Sequence, residues 1–147
     1  LKLGGKSYEG EAARALLTRR TLAKERLAAA DLDEHVQGLA LAEGQLAEVA
    51  AERRQLGEAG RWLHEALGHS DKFLHRAGVK VNAEHLSLLW LAAELQLGSG
   101  ADLHAIKLAE RLRAAHENLV KEQDPKLRSY ARLLEIYLAL IAPPRGH

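Results

Sequence analysis

The chain has 147 residues, with 21 Lys plus Arg against 20 Asp plus Glu and a formal net charge of +1. That balance excludes both the basic footprint of a nucleic-acid-binding domain and an acidic tail. Cysteine is absent, which excludes disulfides, thiolate metal ligands and cysteine nucleophiles. The length suits one domain with a real core. Ala, Leu, Glu and Arg dominate while aromatics make up 4%, so helices are expected and strands are not. No apolar run approaches the ~18 residues of a membrane span, and no signal peptide is visible. These features are compatible with a reducing, cytoplasmic compartment. Methionine is absent even at position 1, and an excised segment of a larger protein is the working expectation.

In chain order, residues 1–8 read as a loop entry. From Glu11 to Ala30 the apolar positions Ala13, Leu16, Leu17, Ala23 and Leu27 recur at spacings near three and four, which predicts a first helix. Arg19, Arg20, Lys24 and Arg26 alternate with Glu and read as its solvated face. Asp31 and Asp33 are candidate caps for a second helix through Val36, Leu39, Ala40, Leu46, Ala47 and Ala50 to about Arg54. Gly57 and Gly60 mark a weak point. A third helix carries Ala59, Trp62, Leu63, Ala66 and Leu67, and either breaks at Gly68 or runs on to about Gly78. Asn82 caps a fourth, from Ala83 to Leu97, and Gly98-Ser99-Gly100 stops it. A fifth is expected from about Ala101 to Lys121. Asp124-Pro125 opens a sixth that ends before Pro143-Pro144, leaving 142–147 as a disordered tail. The short loops make consecutive helices antiparallel neighbours.

The helices repeat. Shifting by 46 residues places Ala59 on Ala105, Trp62 on Leu108, Ala47 on Ala93 and Ala93 on Ala139. Shifting backwards places Ala59 on Ala13, Trp62 on Leu16 and Leu63 on Leu17. The match is one of residue class: small residues where helices approach closely, large ones filling the gap beside them. The stretch from Gly57 to Leu67, with Ala59, Leu63 and Ala66, resembles the second helix of a tetratricopeptide repeat. Leu46-Ala47 and Ala50 resemble its first helix, and Arg54 stands where that family usually has Gly. The family's usual period is about 34 residues, so the resemblance is to long-helix arrays of the kind found in large bacterial transcription regulators and signalling ATPases. Armadillo- or HEAT-like pairs are the structural alternative.

The resemblance implies an all-α fold of about six to seven helices, with antiparallel pairs stacked as a short right-handed solenoid. The first and last helices align with the second and first members of a pair, so the chain holds half a pair, two full pairs and half a pair. Such open terminal helices would allow self-association.

Enzyme and metal patterns do not assemble in the sequence. His64 and His69 are five residues apart, roughly 140° around a helix, where zinc needs them four apart. His116-Glu117 is followed by Val120 where a second His belongs. Gly5-Lys6-Ser7 lacks the rest of a phosphate-binding loop. His69-Ser70-Asp71 are sequence neighbours and cannot converge as a relay, so Ser70 and Asp71 read as turn or cap residues. No catalytic residue, metal or cofactor is expected.

Two tryptophans remain. Core is the first reading for both Trp62 and Trp90. The phase of Trp90, with Glu48 and Glu94 on the same side, also fits the concave groove that the resemblance implies. There it would suit a peptide with an apolar anchor and a Lys or Arg. The expected function is therefore a scaffold binding a peptide or helix of a partner protein, with Glu48, Trp90 and Glu94 as contact residues. No direct nucleic-acid or membrane contact is expected. The alternative is a sensor or regulatory segment of a multidomain transcription regulator or signalling ATPase.

Overall fold

A computed structural model describes the backbone of residues 2–142 and the side chains of residues 10–142. The described chain is all-helical, with no strand among the described residues. Helix α1 spans Lys2–Ala29, α2 Asp33–Glu52, α3 Leu56–Ala77 and α4 Ala83–Ser99. A 3-10 turn at His104–Ile106 precedes α5, Leu108–Val120; α6 is a single turn, Pro125–Arg128, and α7 spans Tyr130–Ile141. The loop entry expected over 1–8 is helical backbone from Lys2, since no proline interrupts it. The expected tail lies outside the described residues beyond Ala142.

Capping residues explain where α4 and α6 begin and where α3 and α4 end. Asn82 Oδ1 accepts from the His85 amide at 2.8 Å and starts α4. Asp124 Oδ1 accepts from Lys126 N at 2.9 Å, with Pro125 in the first turn of α6. Gly78 and Gly100 take left-handed φ of 69° and 66° and stop α3 and α4. The expected caps of α2 are not used. Leu32 holds the N-cap position, Asp33 is the first helical residue, and Asp31 instead pairs with Arg76 at 2.8 Å near the far end of α3.

Helix α3 does not break at Gly68, because the stripe Leu63, Ala66, Leu67, Ser70, Leu74 stays buried across it. The fifth helix starts later than its sequence suggests. Ala101, Leu103 and Ile106 bury their side chains from an irregular segment, and Lys107 takes a φ of 50° before α5 begins. Their spacing of two and three fits no single helical face, so burial outweighs helix propensity there. The sixth helix is likewise split into α6 and α7 at Ser129, whose Oγ donates to the Lys126 carbonyl at 2.6 Å.

Helix α2 packs against α1 and α3, α4 against α3 and α5, and α5 against α7; α2 also touches α4, and α4 touches α7. Four of the small positions expected at close approaches are completely buried: Ala47, Ala59, Ala66 and Ala93. Leu63, Leu67, Leu89, Leu112 and Leu119 fill the gaps between them. Each such Leu contributes roughly 1.5–3 kcal/mol relative to exposure. Gly44 brings α2 against α4, and a Cβ added there would lie 2.8 Å from Leu88 Cδ2. The repeat fades towards the ends. Ala105 and Ala139 are exposed, Ala13 and Leu16 are half-buried, and Leu17 is exposed.

Candidate functional site

Helices α2 and α4 enclose a groove made of two adjoining depressions of about 190 and 400 Å³. Leu41, Leu88 and Leu91 supply apolar walls in the first, and Glu48, Ser87 and Leu91 are common to both. Glu48, Trp90 and Glu94, singled out in the sequence, all line the second. The core reading of Trp90 is corrected, since it is 39% exposed. Its position on α4 turns it from the buried stripe Leu86, Leu89, Ala93 towards the groove. The ring meets Tyr137 of α7 edge-on, with centroids 6.0 Å apart, and its Nε1–H donates to Glu94 Oε1. Burial, with the charge of Glu94, pushes the Tyr137 hydroxyl pKa up. Trp62 is half-buried and packed on the core, as expected, beneath the guanidinium groups of Arg20 and Arg61 at 4.8 and 4.9 Å.

The groove carries one sign of charge. Glu48, Glu52, Glu84 and Glu94 line it, and none of its lining residues is Lys, Arg or His. Glu48, Glu52 and Glu84 have no hydrogen bond or ion pair among the described residues. A larger depression of about 540 Å³ lies between the end of α4 and α5, where Asp102 and Glu110 are mixed with His104, Lys107 and Arg113.

Two buried polar clusters were not anticipated. Glu43 sits on α2 with no exposure at all. Its Oε2 accepts from Arg20 Nε at 2.9 Å, and its Oε1 lies 2.6 Å from His69 Nδ1. Arg20 therefore does not belong to a solvated face: it reaches from α1 into the core. The second cluster brings Ser70 and Asp71 of α3 to His85 of α4, a residue not among the sequence candidates. Ser70 Oγ hydrogen-bonds His85 Nδ1 at 2.8 Å, and His85 Nε2 lies 4.0 Å from Asp71 Oδ1. Ser70 and Asp71 stand mid-helix, so the turn reading is corrected. The grouping contains the residue types of a hydrolase relay without its geometry. Ser70 is 1% exposed and closed to a substrate, and Asp71 is held by Arg111 at 2.9 Å. Burial pushes the His85 pKa down to about 4, so the imidazole is neutral near pH 7.

Both clusters leave a trace in the sequence. Glu43 interrupts the apolar stripe Val36, Leu39, Ala40, Leu46, Ala47, and Ser70 and His85 interrupt those of their own helices. Of the remaining sequence candidates, His64 is exposed, and His116 Nε2 lies 3.1 Å from Glu135. Gly5, Lys6 and Ser7 fall outside the residues whose side chains are described.

Compared with known proteins, the chain matches no family model, no curated protein and no solved structure.

Proposed function

We propose that the chain is a protein-interaction scaffold. Its groove between α2 and α4 receives a peptide or helix bearing an apolar side chain and a neighbouring Lys or Arg. The observation that carries this reading is the groove's composition: apolar walls at Leu41, Leu88 and Leu91 beneath four carboxylates, with no cation among the lining residues. Unpaired carboxylates around a low-dielectric floor attract cations and repel anionic competitors. Leu41, at 47% exposed, and Trp90 offer apolar area that a bound segment would remove from water. The tetratricopeptide-like stacking belongs to the same proposal. It is supported by the successive contacts of α2, α4 and α7, and by Arg54, whose φ of 62° is what a glycine at that turn would adopt.

The test is selection from a displayed random-peptide library, run in parallel on the wild-type chain and on a Glu48→Ala, Trp90→Ala, Glu94→Ala variant whose helicity is first confirmed. Wild type should enrich peptides pairing Leu, Ile or Phe with Lys or Arg. Their affinity should fall at least tenfold on the variant and weaken with added salt, as screened charge pairs do. Enrichment without basic residues, or equal binding by the variant, would remove the groove from consideration.

A further inference from the structure

The junction of α1, α2 and α3 holds more negative charge than its permanent cation balances. Glu43 is fully buried on α2. Glu65 and His69 stand one turn apart on α3, and the ligand atoms of all three residues lie within 4.8 Å of one another. Arg20, at 2.9 Å from Glu43 Oε2, is the one Arg or Lys among the described residues paired with either carboxylate. Glu65 has no hydrogen bond or ion pair among the described residues. Lys24 and Lys72 share a surface depression with His69, but both are exposed and neither forms an ion pair with Glu43 or Glu65. Two carboxylates thus share one guanidinium and one imidazole, with the exposed Glu65 free to turn towards the other two.

We propose that Glu43, Glu65 and His69 form a site for a divalent cation of the zinc type. One imidazole and two carboxylates, without thiolate, suit zinc and its neighbours in the first transition row. Three protein ligands leave a fourth position for water on the exposed Glu65 side. The adjustment required is small. Ligands about 2.0–2.1 Å from zinc lie roughly 3.3 Å apart at the tetrahedral angle, whereas His69 Nδ1 and Glu43 Oε1 are 2.6 Å apart. The pair opens by a fraction of an ångström while the unpaired Glu65 swings in. A metal needs the ring nitrogen without its proton, so any proton on Nδ1 leaves to solvent as the ion binds. Glu43 is already oriented for the task. Arg20 holds its second oxygen and is itself seated over the Trp62 ring, as the outer partner of a metal-bound carboxylate should be. Sequence spacing conceals such a site, because Glu65 and His69 lie on α3 while Glu43 comes from α2.

The experiment uses the full chain stripped of metal, titrated with Co²⁺ by visible absorption and with Zn²⁺ by calorimetry. One equivalent should bind. His69→Gln should weaken binding at least 100-fold and Glu65→Gln at least tenfold, while His64→Gln, one of the other seven histidines in a total of eight, should leave it unchanged. Glu65 is exposed and His69 half-buried, so these variants do not depend on the fate of a Glu43 substitution. Absence of saturable Co²⁺ and Zn²⁺ binding would overturn the proposal, and so would binding unaffected by His69→Gln. In either case the cluster would be an ion-pair junction alone.

Discussion

Two buried polar junctions solve the same problem with opposite chemistry. At the first, α2 contributes a charged Glu43, and both neighbours answer with side chains on its two oxygens, Arg20 from α1 and His69 from α3. At the second, α4 contributes a neutral His85, answered by one hydroxyl, Ser70 of α3, while the charges of Asp71 and Arg111 stay at the rim and tie α3 to α5. The buried carboxylate has a partner on each oxygen, whereas the neutral ring is held by one hydrogen bond at Nδ1 and turns its Nε2 towards Asp71 at the rim. Each junction has a single satisfied arrangement, so each limits how far three successive helices can slide along one another.

The largest effect should come from breaking the charged junction. Arg20→Ala leaves the Glu43 carboxylate buried with His69 alone, and urea denaturation should show a loss of about 3–5 kcal/mol. Replacing both residues, Arg20→Met with Glu43→Leu, should recover most of it, because no charge is then stranded. A single-variant loss well under 1 kcal/mol would mean that water reaches Glu43.

The neutral junction should instead be sensitive to acid. His85 titrates near 4 when folded, below its ordinary 6.5, so the unfolded chain binds the proton more readily between these values. Its contribution is present above pH 6.5 and lost as the pH falls towards 4, on the order of 3 kcal/mol in all. Denaturation midpoints across that window should fall in wild type, and that part of the slope should vanish in His85→Asn. Ser70→Ala should cost about 1–3 kcal/mol by leaving the buried ring nitrogen without its partner. The smallest effect lies outside both junctions. Arg54→Gly should raise stability by about 1 kcal/mol, because glycine accepts the left-handed φ of 62° without a Cβ penalty.

The central helices were legible because their small and large apolar residues follow one period. Ala47, Ala59, Ala66 and Ala93 are buried where the pattern places them. The segment from Ala101 to Lys107 was not legible, since its apolar residues read equally well as helix until the burial of Leu103 and Ile106 by an irregular backbone decides the matter. Glu48, Trp90 and Glu94 share a depression because α2 and α4 pack side by side and Glu48 and Glu94 hold the same position in the 46-residue shift. Glu43 and His85 escaped notice because a polar residue on an apolar stripe can be identified as buried only when its partners are known, and Arg20 lies 23 residues away.

Trp62 and Trp90 give the molecule two optical reporters in different layers. Trp62 lies under two guanidinium groups beside the core, and Trp90 stands at the groove bonded to Glu94. Occupation of the groove would dry only Trp90 and move its emission to shorter wavelength, whereas unfolding would move both to longer wavelength. Intrinsic fluorescence can therefore separate binding from loss of fold without a dye, and with Trp62→Phe the remaining signal belongs to the groove alone.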